Sequence, residues 1–227
     1  MSNPWLNVPL TEYEQHMSSA EVQQLGALSD LFAEALGRCR PLSIAVLGIA
    51  GGNGLDHIDS TITARVVGLD LNPLYLAAVQ QRYSHVLGLE LHCVDLSEQR
   101  VKLEPVQLVH AALVFEHAGV DCCLENALSM ITPGGNLSVV LQLPAESGPT
   151  VGASHFSSMQ NLKSHLSLVS PAWLRESVSG RGFRLVHQTT RALPAGKGFW
   201  MGIFSSPSAL GLPSANLGAV FVRRNAR

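Results

Sequence analysis

The strongest constraint on how this chain can fold is an order of elements: an apolar run, a glycine-rich turn, a second apolar run, then a carboxylate. Val46-Leu47-Gly48-Ile49-Ala50-Gly51-Gly52-Asn53-Gly54 is followed by Val66-Val67-Gly68-Leu69-Asp70-Leu71-Asn72-Pro73. Short, near-continuous apolar runs suit the buried strands of a parallel sheet, whose two faces are both covered by helices. Glycines at the turn let backbone come close to a ligand, and an acid ending the next strand can accept bonds from ribose hydroxyls. The two segments together point to an α/β sheet that cradles a nucleoside.

The alternation continues along the chain. Residues 18–38 read as an amphipathic helix, with Ser18 and Glu21 at capping-box spacing and Val22, Leu25, Leu28, Phe32 and Leu36 on one face. Residues 5–10, ahead of it, read as an extended arm. Strands are expected at 43–49, 65–71, 89–94, 107–115 and 136–143. A helix begins at 53–57, a second starts at Asn72 and Pro73, and a third runs through Leu128 until Thr132-Pro133-Gly134-Gly135 stops it. Ser170-Pro171 starts a last helix. Residues 183–191 and 199–204 then form a hairpin across Leu193-Pro194-Ala195-Gly196-Lys197-Gly198, so the final strand pair is antiparallel. The expected fold is α/β: a Rossmann-like, mostly parallel seven-stranded sheet with a C-terminal antiparallel hairpin and helices on both faces. The expected organisation is an N-terminal arm and helix acting as a cap (1–40), the main domain (41–206), and a tail (207–227) that is disordered or an edge segment.

Composition narrows the function classes. A chain of 227 residues, 46% hydrophobic and 14% charged, suits one globular α/β domain. A formal net charge of -2 argues against a nucleic-acid backbone binder, which would show a basic excess. No apolar run approaches the roughly 18 residues that span a bilayer, and residues 1–16 show no basic-apolar signal pattern, so a cytoplasmic protein is expected. Cys39, Cys93, Cys122 and Cys123 form no C-x-x-C pair and read as thiols in a reducing compartment. The nine histidines are scattered, and no metal site is expected.

Five segments in order resemble the class I S-adenosylmethionine-dependent methyltransferases, small-molecule type. Residues 46–54 are similar to that family's V-L-D-x-G-x-G-x-G motif, and 68–73 to its second motif, whose acid binds both ribose hydroxyls. Cys93-Val94-Asp95-Leu96 resembles the third-strand motif, whose aspartate meets the adenine amino group. Residues 109–117 resemble the fourth-strand segment, and 128–137 the L-x-P-G-G-x-L turn before strand five. The resemblance covers about residues 38–205. It implies S-adenosyl-L-methionine as cofactor, contacted by Gly48, Ala50, Gly51, Gly52, Gly54, Asp70, Leu71, Asp95, Leu96 and Ala112. Two family positions differ: the acid ending strand one is Gly48, and the first glycine is Ala50. Losing that acid removes one charge-assisted contact, worth roughly 1.5–3 kcal/mol where buried.

At the carboxyl edge of strand four, His117 is the candidate general base, since an unperturbed imidazole titrates near pH 6.5 (about that value). Glu116 beside it, Tyr13 and His16 ahead of the first helix, and His155 after strand five are candidate contacts to a small-molecule acceptor. Other readings are weaker on the residues. A dinucleotide fingerprint needs G-x-G-x-x-G, and from Gly52 the third glycine position is His57. Exocyclic-amine nucleic-acid methylation would show D/N-P-P-Y/F where Phe115-Glu116-His117-Ala118 stands, and no Pro-Cys nucleophile is present. A non-catalytic S-adenosylmethionine-binding module, a protein methyltransferase and a polyamine synthase remain as alternatives.

Overall fold

The computed structural model describes residues 3–145, 156–160, 162 and 165–208. Its sheet comprises β1 (Ser43–Leu47), β2 (Arg65–Asp70), β3 (Leu89–Cys93), β4 (Val106–Ala112), β5 (Ile131–Leu143), β6 (Arg184–Ala192) and β7 (Gly198–Ser205). The order is β3-β2-β1-β4-β5-β7-β6. The first five strands pair in parallel, and β7 lies antiparallel between β5 and β6. The expected mixed sheet with a terminal hairpin is the one found. From β1 the chain builds outward to β2 and β3, then returns to β4 on the other side. That reversal opens a crevice at the carboxyl ends of β1 and β4, where open α/β sheets take ligands.

Strand alternation sorts the core into two layers. Ala45, Leu47, Val109, Ala111, Val139 and Leu141 pack with α5 (Asp121–Ser129) and α7 (Pro171–Ser179). On the opposite face Ile44, Val66 and Leu108 pack with α3 (Pro73–Arg82) and with Phe32 and Leu36 of α2 (Gln24–Cys39). The α2 helix also sets Leu28, Leu31 and Ala35 against Val140, Phe199, Met201 and Ile203. It is therefore a wall of the sandwich as well as a neighbour of the arm. The α3 start follows expectation: Asn72 accepts a hydrogen bond from the Leu74 N–H, and Pro73 takes the first helical position.

The N-terminal expectation is corrected. Residues 18–38 are not one helix, and the preceding arm is not extended throughout. A 3₁₀ turn (Pro4–Asn7) leads into α1 (Leu10–Ser18), the chain turns, and α2 begins after Gln23. Ser18 belongs to α1, where its hydroxyl donates to the Glu14 carbonyl, so no capping box forms with Glu21. Tyr13 and Met17, one helical turn apart, carry α1 into the same apolar cluster as α2. The helix expected at 53–57 is a single 3₁₀ turn, Leu55–His57. β4 ends at Ala112 rather than running to Phe115, and β5 takes in Thr132-Pro133-Gly134-Gly135, with a register shift between Val106 and Leu108. Of the proposed tail, residues 209–227 lie outside the described residues. Among the described residues, no helix is long and apolar enough to cross a membrane.

Candidate active site

A cavity of about 170 Å³ lies over the carboxyl edge of the sheet. Its floor is a series of strand ends: Gly48 and Ala50 after β1, Asp70 and Leu71 at β2, Asp95 and Leu96 after β3, Ala112 to Val114 at β4, and Gln142 at β5. Lys197, just before β7, extends the wall further. The roof is Trp5, Tyr13, His16 and Met17 from the arm and α1, with Met159, Leu162 and Leu166 from the segment after β5. These two roof segments pack on each other: Val8, Met159 and Leu162 form one apolar cluster with Trp5, Tyr13 and Phe156 against it.

At one end of the cavity stand two carboxylates. Asp70 is only 8% exposed, and each of its oxygens receives one backbone donor, Oδ2 from the Ala50 N–H and Oδ1 from the Asn72 N–H, both at 2.9 Å. Burial raises its pKa above the ordinary carboxylate value, and the backbone donors of Asn72, Ala50 and Leu71 oppose that rise. Two carboxylate oxygens offer about four acceptor sites, so the backbone donors leave acceptor capacity for a hydroxyl donor. Asp95 accepts from the Ser97 N–H through Oδ1 and from the Asn3 side-chain amide through Oδ2, at 2.9 and 3.3 Å. Leu71 and Leu96 add apolar surface beside the two acids. Paired acceptors flanked by flat apolar walls are what a nucleoside needs.

The glycine turn divides into two roles. Gly48 (φ +65°) and Ala50 (φ +47°) line the cavity. Gly51, Gly52 and Gly54 do not. A Cβ on Gly52 would lie 2.5 Å from the Tyr83 ring, and one on Gly54 would lie 2.7 Å from the Phe32 ring. A Cβ on Gly51 would meet the Glu14 carboxylate, which pairs with Arg82. These three glycines let α1, α2 and α3 close onto the turn, and the turn in turn holds Ala50 against Asp70.

The β4 end carries different chemistry. Leu113 has φ +57°, a left-handed conformation costing an ordinary side chain about 1–2 kcal/mol. Its N–H donates to the Val140 carbonyl at 2.9 Å, which holds the bend. The bend leads into α4 (Phe115–Ala118), which carries Glu116 and His117. His117 lines the cavity, with the Trp5 ring edge-on at 4.9 Å. Burial, helped by repulsion from His165, lowers its pKa to about 4, and its Nδ1 has no hydrogen-bond partner among the described residues. Glu116 is 1% exposed and lies outside the cavity lining. Its Oε1 accepts from the Gln142 N–H at 2.8 Å, its Oε2 has no partner among the described residues, and burial pushes its pKa up to about 7.

The arm is tied down at several points. Asn3 reaches Asp95, the Asn72 side chain donates to the Trp5 carbonyl at 3.0 Å, and the Tyr75 hydroxyl donates to the Val8 carbonyl at 2.9 Å. Tyr13 is half-buried in the roof, and burial, then Asp70 and Glu14, raise its pKa.

Ten of the residues singled out from sequence therefore meet around one cavity: Gly48, Ala50, Asp70, Leu71, Asp95, Leu96, Ala112, Tyr13, His16 and His117. Gly51, Gly52, Gly54 and Glu116 stand behind it, and His155 lies outside the described residues. Sequence reasoning missed Gln24, Tyr75, Leu113, Gln142 and Lys197. The signal for Lys197 was its place in a short hairpin link; nothing local marked Tyr75 or Gln142. No group of three or more metal-ligating side chains occurs among the described residues.

No protein-family model matches the sequence, and no curated protein matches it. Solved structures do match. The N-methyltransferase NodS from Bradyrhizobium japonicum WM9, solved with S-adenosyl-L-homocysteine, is 13% identical with a TM-score of 0.64, over 91% of this chain and 100% of that one. The magnesium protoporphyrin IX methyltransferase ChlM from Synechocystis PCC 6803, solved with S-adenosylmethionine, is 11% identical with a TM-score of 0.62, over 91% and 98%. The [4+2]-cyclase SpnF is 14% identical with a TM-score of 0.63, over 84% and 83%. The chain has the fold of the S-adenosylmethionine-dependent methyltransferases.

Proposed function

We propose that this protein is a cytoplasmic S-adenosylmethionine-dependent methyltransferase acting on a small molecule. The observation that carries the reading is the continuity of one cavity from Asp70 and Asp95 to His117. The residues fit the cofactor: Asp70 keeps acceptor capacity for the ribose hydroxyls, Asp95 can accept from the adenine amino group, and Leu71 and Leu96 would flank the base. Bound there, S-adenosylmethionine would supply an electrophilic methyl on a sulfonium. The chain's own part is to position and to exclude water, and methyl transfer leans on both. The roof of Trp5, Tyr13, His16 and Met17 with Met159, Leu162 and Leu166 does the excluding. His117, neutral above about pH 4, holds an Nδ1 without a partner among the described residues that can take a proton from the acceptor. Four unpaired thiols support a reducing compartment.

The test is calorimetric titration of S-adenosylmethionine, S-adenosylhomocysteine and NAD into wild type and Asp70→Ala. Binding of the two sulfur nucleosides, not NAD, is expected. Asp70→Ala should weaken it by about 2–3 kcal/mol, the scale of charge-assisted bonds. A loss under about threefold in affinity would leave Asp70 as a brace for Ala50 and Asn72 alone.

A further inference from the structure

The acceptor's chemistry bears on the far end of the cavity, where Lys197 stands. Lys197 is 9% exposed and forms part of the cavity wall. It precedes β7, whose Gly198 pairs with Leu143 and whose Phe199 pairs with Gln142. Alternate residues of a strand share a face, so Lys197 and Phe199 lie on one side, and Gln142 is a diagonal neighbour of Lys197 on that side. Gln142 also lines the cavity. Among the described wall residues Lys197 is the single lysine or arginine, and the wall carboxylates are Asp70 and Asp95.

Strand order sets the distances between these charges. Neighbouring strands are about 4.8 Å apart, which puts β7 roughly 14 Å from β1 and roughly 24 Å from β3. A nucleoside held by Asp70 and Asp95 covers β3 to β1. His117 marks the next station, at β4, and Lys197 lies two strands beyond it. β1 is followed by Gly48 rather than an acid, and among the described wall residues no carboxylate stands between the two ends. The roof of the cavity is largely apolar, from Trp5, Met159, Leu162 and Leu166, and the strand neighbour Phe199 belongs to an apolar cluster. An ammonium carries three donors, so a partner within the protein still leaves donors for a ligand. In such surroundings a charge-assisted bond is stronger than in water.

We propose that the acceptor is an apolar small molecule bearing a carboxylate, and that Lys197 receives that carboxylate. The proposal rests on the methyltransferase reading above for which end is the acceptor's. The probes are a naphthalene carboxylate and its carboxamide, alike in shape and different in charge. Each is titrated into wild type, Lys197→Met and Lys197→Arg, with and without saturating S-adenosylhomocysteine. Wild type should bind the acid about tenfold more tightly than the amide, Lys197→Met should lose that preference, and Lys197→Arg should keep it. Affinity for S-adenosylhomocysteine should stay within about threefold in Lys197→Met.

An amide bound as well as the acid by wild type, no binding of the acid, or a preference that survives Lys197→Met overturns the proposal. So does a loss of about tenfold in S-adenosylhomocysteine affinity with acid binding untouched, which would give Lys197 to the cofactor's methionine carboxylate. Should Lys197→Met not fold, the acid–amide comparison in wild type and Lys197→Arg still decides. The two readings fail separately: absent S-adenosylhomocysteine binding sinks the cofactor, while the acid–amide comparison without it still reads the lysine.

Discussion

Two buried carboxylates mark the contrast between the two halves of the site. At the β2 end, each oxygen of Asp70 has a backbone N–H, supplied by a glycine turn and a helix start. At the β4 end, Glu116 has one such donor, from β5, and among the described residues its other oxygen and the adjacent His117 Nδ1 have no partner. The first half is braced by backbone donors on both carboxylate oxygens. The second carries buried polar atoms that cost energy to leave unmade, about 1–3 kcal/mol each. Such expense suits a place where a ligand or a proton must be received.

The contrast can be broken first at the glycine turn. If the turn is a packing device, Gly52→Val should act on stability. It would place a β-branched side chain at φ +81° and into the Tyr83 ring, and a loss of about 2–5 kcal/mol is expected. Thermal unfolding of the variant reads this. An unchanged Tm with S-adenosylhomocysteine binding abolished would instead make Gly52 a direct wall of the ligand site.

The β4 end is sharpened by pH. Glu116 has its pKa raised from 4.5 to about 7, so between those values the folded state binds more protons than the unfolded state. By linkage its contribution to stability then falls as pH rises through that window, by an amount on the order of 3 kcal/mol. His110 and His117, both lowered to about 4, work in the opposite sense: they favour folding as pH rises from about 4 to 6.5. The comparison with Glu116→Gln isolates the carboxyl, because the amide oxygen can still accept from Gln142. Relative to wild type, the variant should gain stability from pH 4.5 to pH 7 in chemical denaturation (about those limits). A difference flat in pH would mean that Glu116 is ionised and satisfied at neutrality.

The sheet was legible in the sequence because its information is local. Continuous apolar runs such as residues 44–47 and 66–69 leave a parallel strand little alternative. Pro194 and Gly196, between two runs rich in β-branched and aromatic residues, marked the hairpin. The acids at the strand ends were legible for the same reason. The N-terminal region was not. Ser18 with Glu21 carries a capping signal, but Tyr13 and Met17 gain more by starting a separate helix that docks on Leu28 and Met201, a contact far along the chain. The division of the glycines was equally hidden, since Phe32 and Tyr83 decide it and neither is near in sequence to the glycine it faces. Lys197 and Gln142 meet the cavity only through the β5–β7 register.

The smallest expected effect tests the braced half at its one local mismatch. Ala50 lines the cavity at φ +47° and gives its N–H to Asp70, so a residue with a Cβ holds a backbone conformation that glycine adopts freely. The left-handed conformation costs alanine about 1–2 kcal/mol, while glycine pays about 0.4–1 kcal/mol more in unfolded-chain entropy. Ala50→Gly should therefore stabilise the fold by roughly 0.5–1 kcal/mol, read as a small rise in Tm. It should also leave the Ala50 N–H bond to Asp70 in place, so S-adenosylhomocysteine affinity should hold or improve. A lower Tm would mean that the surrounding contacts hold the alanine methyl in useful packing, and that this corner of the turn tolerates its backbone shape at no net cost.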